Sequence, residues 1–167
     1  SDEHVKTWGA FVSQMTGPKI GIVARGSNSF VNDKNRSLDL KTLLAPLPKN
    51  ASYIVLQNDL SDEERVFVDS FENIFAPGKK LESFSDTAAI CKDLDQVISV
   101  DTGVAHLSAA LGTPTSVLLA YRPDWRWGAE DETTEWYPNA RLIRQTRDGE
   151  WESALSTWHM DCLQDCT

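Results

Sequence analysis

Val97-Ile98-Ser99-Val100-Asp101-Thr102-Gly103-Val104-Ala105-His106-Leu107 is the stretch from which the rest of the chain can be read. It opens as a short apolar run of the buried-strand kind. Asp101-Thr102-Gly103 interrupts the run, and Gly103 is expected to let the backbone turn without interference from a Cβ. Residues 104–111 (V-A-H-L-S-A-A-L) are strongly helix-forming, and Gly112-Thr113-Pro114 is their stop signal. Strand, tight turn and helix in that order put unpaired N–H groups and the positive end of a helix dipole at the carboxyl end of a strand. Such a corner is a ready anion site, most suited to phosphate. Thr102 adds a hydroxyl, Val104 a first-turn amide, and Asp101 a carboxylate able to accept from sugar hydroxyls. His106 sits just over a turn into the helix. A plainer reading of the same residues stays open at this stage, with Asp101 as a helix N-cap and His106 as a satisfied surface histidine.

The flanking sequence alternates in the same way. Val5, Trp8, Phe11, Val12 and Met15 recur at helical spacing, and Gly17-Pro18 ends that segment, making residues 1–17 a leading helix and linker. Strands are expected at residues 19–24, 52–56, 96–100, 115–119 and 141–143, with a brief one at 80–82. Helices are expected at residues 38–47, at 86–94 capped by Ser85 or Asp86, and at 151–163 within a closing segment 150–167. Ser61 with Glu64 three residues later reads as a capping box. Short apolar runs alternating with amphipathic helices mean a parallel sheet with helices on both faces. The reading is therefore one α/β domain over residues 1–167: a three-layer, Rossmann-like fold whose ligand lies at the carboxyl ends of the strands. That rim gathers the loops at 25–37, 57–61 and 100–103.

The net charge of −9 argues against a nucleic-acid backbone or an anionic membrane surface as the main partner. It leaves room for a small phosphorylated ligand, which one local cluster of cations and amides suffices to hold. No apolar run is long enough for a transmembrane segment. Three cysteines (Cys91, Cys162, Cys166) without a signal peptide point to a reducing, cytoplasmic setting. Cys162 and Cys166 share a helix face only with His159 as a further ligand candidate, so no metal site is expected. The chain opens on Ser1-Asp2-Glu3 without an initiator Met, as expected of a piece of a longer protein.

Asp-Thr-Gly after an apolar strand is also the mark of aspartic proteases. Their chemistry needs two such carboxylates sharing a proton, and here there is no second Asp-Thr-Gly, while the residues that follow are helical rather than β. The loop at 25–37 gathers Arg25, Lys34 and Arg36 with Gly26, Ser and Asn residues at the end of the first strand. Arg offers phosphate a rigid fork and Lys a mobile point charge. The loop is neither a P-loop nor a Gly-x-Gly-x-x-Gly turn, and a solvated polar loop is its plainer reading. Asp93-Leu94-Asp95 spells a metal-binding Asp-x-Asp, but it precedes a strand, on the opposite rim, and reads as solvated charge. Pro123-Asp124-Trp125-Arg126-Trp127 and Glu135-Trp136-Tyr137-Pro138 set several aromatics close together. They either pack the edge of the core, stack on a base or sugar, or meet another domain.

Taken together, Arg25-Gly26-Ser27, Asn32-Asp33-Lys34-Asn35-Arg36-Ser37, Asp86-Thr87-Ala88-Ala89, the stretch around Asp101-Thr102-Gly103, Pro123-Asp124-Trp125-Arg126-Trp127 and Trp136-Tyr137-Pro138 resemble one family. It is the glycosyltransferase-like C-terminal region of bacterial proteins that often carry tetratricopeptide repeats. That region is similar to glycosyltransferase family 9, the heptosyltransferases, and more distantly to O-linked N-acetylglucosamine transferases. The resemblance implies the C-terminal, donor-binding half of a two-domain GT-B glycosyltransferase. Such an enzyme moves a sugar from a nucleoside diphosphate sugar to an acceptor hydroxyl, without a metal or other cofactor. It implies that Asp101, Thr102, Gly103 and Val104 meet the donor phosphates and sugar with His106 in support. Arg25, Gly26 and Lys34 would then lie at the leaving diphosphate, and Gln57 near the nucleoside. No general base stands out in this chain, and one is expected in an N-terminal acceptor-binding domain or repeat region outside it. Ala24 stands where this family commonly has Trp, Asn28 and Phe30 replace Pro and His, and Ala120-Tyr121 replaces Pro-Phe. A non-catalytic nucleotide-sugar-binding or scaffold module of the same fold is the alternative.

Overall fold

In a computed structural model, residues 2–26, 36–128 and 130–165 are described, with the backbone alone for residues 2, 3 and 159–165. Lys34, Asn28, Phe30, Cys166 and the side chains of His159 and Cys162 lie outside that description. Among the described residues six strands form one sheet: β1 (Lys19–Val23), β2 (Ser52–Val55), β3 (Ile74–Phe75), β4 (Gln96–Val100), β5 (Thr115–Leu119) and β6 (Ala140–Arg144). Their order is β3-β2-β1-β4-β5-β6, and every adjacent pair is parallel. The helices are α1 (Asp2–Ser13), α2 (Leu40–Leu44), α3 (Asp62–Asp69), α4 (Phe84–Cys91), α5 (Gly103–Ala110) and α6 (Glu152–Asp165).

Side chains alternate across a strand, and here both faces are apolar. Ile20, Ile22, Tyr53, Val55, Ile98, Val100, Leu118 and Ile143 pack on one face with residues of α2, α3 and α6. Val23, Ile54, Leu56 and Val97 pack on the other with Trp8 and Val12 of α1 and Ile90 of α4. Further along that second face, Val117, Leu119 and Leu142 join Ala105 of α5 and Trp127. Doubly covered strands of this kind belong to three-layer α/β folds, as expected from the alternation. Gly21 serves close approach: a Cβ there would lie 2.7 Å from Leu94 Cδ1 and 2.8 Å from Leu56 Cδ1. Both leucines close over the central strand because that position is empty.

Several boundaries differ from expectation. Residues 80–82 are not a strand. Gly78–Lys80 is a 3₁₀ turn after Pro77, and the edge strand is Ile74–Phe75. Two residues are too few for alternation to register, and Pro77 with Gly78 (φ 57°) ends the strand at once. The helix expected at 86–94 starts earlier, with Ser83 as its cap. Asp86 Oδ2 accepts both the Ser83 N–H (2.9 Å) and the Ser83 hydroxyl (2.8 Å). The helix expected at 38–47 is confined to Leu40–Leu44, where Asp39 accepts the Thr42 N–H at 2.8 Å. Ser61 and Glu64 do form the expected capping box of α3. Among the described residues no helix is long and apolar enough to cross a membrane.

Asp86 also fastens α1 to α4. Its Oδ1 accepts from Trp8 Nε1 at 2.9 Å and meets His4 Nδ1, and the carboxylate is buried. The Trp8 hydrogen bond, with those from Ser83 and His4, outweighs burial and holds the carboxyl well below its ordinary value. A depressed folded-state pKa contributes stability that is fully present above the unfolded carboxylate value, 3.8, and is lost as pH falls beneath it. Asp86→Asn should therefore cost about 2–3 kcal/mol at pH 7 by leaving Trp8 and Ser83 poorly matched. In thermal melts the gap between wild type and variant should narrow as pH is lowered from 5 to about 3. A gap constant with pH would refute the charged-network account.

Candidate functional site

The chain leaves β1 toward the face that carries α2 and leaves β4 toward the face that carries α5. Neighbouring parallel strands whose connections part in this way leave a crevice beyond their carboxyl ends. A cleft of 730 Å³ lies there, over the ends of β2, β1 and β4. Arg25, Gly26 and Arg36 line it from the first loop, Gln57 and Asp59 from the end of β2, Phe84 and Thr87 from α4, and Thr102, Gly103 and Val104 from the turn.

The turn assigns its groups differently from the plainer reading of the sequence. Thr102, not Asp101, is the N-cap of α5, with φ −140° and ψ 166°. Its hydroxyl accepts the Ala105 N–H at 3.3 Å and its carbonyl accepts the His106 N–H at 3.3 Å. That hydroxyl also lies 2.8 Å from Ser99 Oγ, which itself donates to the Val100 carbonyl at 2.7 Å, so Thr102 is the donor of the pair. Thr102 is thus occupied in shaping the turn. The Gly103 and Val104 N–H groups have no protein acceptor among the described residues, and they are the first-turn amides at the cleft wall. Gly103 has an ordinary φ and lies close beneath the exposed Phe84 ring. A Cβ there would lie 3.0 Å from Phe84 Cζ.

Asp101 and His106 lie beside the cleft and face each other, His106 Nε2 to Asp101 Oδ1 at 3.8 Å. Arg36 Nη1 donates to the Asp101 carbonyl at 2.8 Å and so ties the first loop to the turn. His106 is partly buried, with 29% of its side chain exposed. It stacks on Trp127 at 4.7 Å and lies 3.1 Å from the Tyr137 hydroxyl. Burial lowers its pKa against the opposing pull of Asp101. Trp127 is the buried member of the aromatic loop, whereas Trp125 and Trp136 are exposed. Arg144 holds the loop in place by donating to the carbonyls of Trp127 (2.6 Å), Gly128 (3.2 Å) and Asp131 (3.0 Å). The loop therefore packs the edge of the core through Trp127, one of the readings its composition suggested, and leaves Trp125 and Trp136 exposed.

Arg25 is in the cleft but its charge is already matched. Its guanidinium makes a two-pronged pair with Glu64, with Nη2 to Oε2 at 2.9 Å, and Nη2 donates to the Asp59 carbonyl at 2.9 Å. The Asp59 carboxylate stands 3.6 Å away. Burial alone would raise the Glu64 carboxyl, but the bonds from Arg25 and Ser61 hold it below its ordinary value. Gln57 is buried, its Oε1 accepting the Ala24 N–H at 2.8 Å, and its Nε2 has no partner among the described residues. Asp93 and Asp95 are on the opposite rim, where Asp95 Oδ2 accepts the Lys19 N–H at 2.7 Å. Reading the sequence missed Arg36, Asp59, Phe84 and the Tyr137–His106 pair as site residues. Arg36 had a visible signal as the third cation of its loop and Asp59 as part of the rim loop 57–61, whereas Phe84 and Tyr137 approach the turn and its helix only in three dimensions.

Residues 76–153 match the family model for glycosyltransferase family 9 (heptosyltransferase). That span holds α4, the turn, the aromatic loop and β6, but not the β1 and β2 side of the cleft. A search among curated proteins finds no match. Solved structures do share the fold. E. coli heptosyltransferase WaaC with ADP aligns at 17% identity and a TM-score of 0.61, over 96% of this chain and 48% of that one. The glycosyl transferase family 9 structure from Veillonella parvula DSM 2008 aligns at 13% identity and 0.59, over 99% and 46%. E. coli heptosyltransferase WaaC with ADP-2-deoxy-2-fluoro heptose aligns at 16% identity and 0.56, over 96% and 48%. The fold is that of a Rossmann-like half of a GT-B glycosyltransferase, and the chain spans about half the length of the solved structures it matches.

The capping role of Thr102 has a measurable consequence. Thr102→Ala should cost about 1–2 kcal/mol of stability by removing the cap and the Ser99 partner, and Thr102→Ser should restore most of it. Chemical denaturation of the three proteins checks this, and equal stability of all three would show that the hydroxyl does not hold the turn.

Proposed function

We propose that the chain is the C-terminal, donor-binding half of a metal-independent GT-B glycosyltransferase that moves a sugar from a nucleoside diphosphate sugar to an acceptor hydroxyl. The observation that carries this reading is the cleft at the β1–β4 crevice, walled by the free first-turn amides of α5. The match of residues 76–153 to family 9 supports the same class of chemistry, as do the ADP and ADP-sugar analogue named with the E. coli structures. On this reading the nucleoside lies beside Gln57, the diphosphate meets Gly103, Val104 and the cations of the first loop, and the sugar extends past the turn toward Asp101 and His106. Gly26 lets the first loop come close to the diphosphate, and Arg25 and Lys34 are its cationic contacts. Arg25 becomes available as phosphate competes with Glu64 and Asp59. In transfer, the acceptor oxygen bonds to the anomeric carbon while the bond to the diphosphate oxygen breaks. Amides and guanidinium groups stabilise the charge left on the diphosphate. The base that deprotonates the acceptor belongs to an N-terminal domain, with or without helical repeats before it.

A scaffold or sensor module of the same fold is the second reading, favoured by one observation: the carboxylates that already occupy Arg25. Titration calorimetry with ADP, GDP and UDP, and with their sugars, separates the two. The donor-binding reading expects one nucleotide series to bind, with affinity reduced roughly tenfold by Arg25→Ala or Asp101→Ala, about the worth of one charge-assisted bond. It also expects no sugar transfer by the chain alone. Absence of binding by all three series at millimolar ligand would leave the scaffold reading standing.

A further inference from the structure

His106 is held on three sides. Its ring lies on Trp127 at an interplanar angle of 20°, Nδ1 lies 3.1 Å from the Tyr137 hydroxyl, and Nε2 faces the Asp101 carboxylate at 3.8 Å. The charged groups around it are Asp101, Arg126 and Asp124. The last two pair with each other at 3.3 Å, which leaves the Asp101 carboxylate and the hydrogen-bonded Tyr137 hydroxyl together to decide where a proton sits on the ring. Burial keeps the imidazole neutral near pH 7, so it carries one proton. A carboxylate can only accept. The proton therefore belongs on Nε2, and the lone pair on Nδ1 takes the Tyr137 O–H.

We infer that Tyr137 is a positioning residue: its hydroxyl fixes the Nε2–H tautomer of His106, which in turn orients the Asp101 carboxylate at the sugar end of the turn. The inference rests on the nucleotide-sugar reading of the site for its functional half and on geometry alone for its structural half. It gives the aromatic loop, which Arg144 fastens to β6, a reason to reach back over α5. A packing role would need only the Tyr137 ring, which lies 5.6 Å from His106 and 6.3 Å from Trp127. Those ring contacts do not depend on the hydroxyl. Tyr137→Phe therefore removes the positioning bond and keeps the packing.

Long-range ¹H–¹⁵N NMR of the whole chain should show His106 as a single Nε2–H tautomer in the wild type and a mixture of tautomers in Tyr137→Phe, with the melting temperature little changed. In calorimetry with ADP and ADP-heptose as probes, and with UDP and UDP-glucose, the variant should lose roughly three- to tenfold of the affinity gained from the sugar, as for one lost hydrogen bond. Its loss toward the bare nucleotide should be smaller. Asp101→Ala should reduce the same gain, and the double variant should lose no more than Asp101→Ala alone. A wild-type Nδ1–H tautomer, an unchanged spectrum in the variant, or equal losses for nucleotide and nucleotide sugar would overturn the inference. If the wild type binds neither pair, the nucleotide-sugar reading falls, while the spectrum still decides whether Tyr137 positions His106.

Discussion

Parallel pairing of β1 with β4 is the constraint on which the rim depends. The two strands run side by side from Ile20 opposite Gln96 to Val23 opposite Ser99, although β2, β3 and the helices α2, α3 and α4 lie between them in the chain. The register has no freedom. A slip of one residue would exchange Ile20 and Ile22 with Gly21 and Val23 across the sheet, and both faces are covered by helices. Gly21 would then no longer meet Leu56 and Leu94, the two side chains that need its empty position. With the register held, the carboxyl ends of β1 and β4 lie level, and α5 must begin where the first loop leaves the sheet. The bond from Arg36 to the Asp101 carbonyl joins the two departures.

The sequence carried the fold in its longer elements. β4 and β5 begin and end at the expected residues, and the Ser61–Glu64 box starts α3. It failed where local signals were short or served two ends at once. Ile74–Phe75 is only two residues long. Ser83 caps α4 through a carboxylate that also anchors Trp8 from a helix far away in the chain, so the cap was placed too late. The site was half legible. Thr102, Gly103 and Val104 are cleft residues because strand, turn and helix are local. Phe84 and Tyr137 approach the turn and its helix through tertiary packing, for which no spacing rule exists. Glu64 was visible as a helix cap, but its second bond, to Arg25, depends on how α3 lies against β1.

An acidic chain proposed to hold a phosphate must draw positive potential from somewhere. The net charge is −9, and the cation nearest the β2 side, Arg25, is matched by Glu64 and Asp59. The favourable field at the turn therefore comes from peptide dipoles together with Arg36, which lines the cleft and bonds the Asp101 carbonyl. The N–H groups of Gly103 and Val104 and the helix behind them contribute a fixed partial charge that no side-chain titration removes. Such a field is short-ranged and falls off within the first turn. It suits a ligand whose charge is concentrated in one small group, and it gives little attraction to a long polyanion.

Capping also decides what Asp101 is free to do. An aspartate at the end of a strand before a helix is most simply explained as the cap, which would consume its carboxylate in bonds to backbone N–H groups. Here Thr102 takes that position, using its hydroxyl for Ala105 and its carbonyl for His106. Ser99, buried in the sheet, fixes the Thr102 hydroxyl from below. The Asp101 carboxylate has no cap to make, and its carbonyl rather than its carboxylate receives Arg36. Its carboxylate sits partly exposed, with His106 as its neighbour across 3.8 Å. A charge released from structural duty and held beside free amides and a stacked imidazole is what the proposed contact with ligand hydroxyls needs, and the local sequence alone could not distinguish it from an ordinary helix cap.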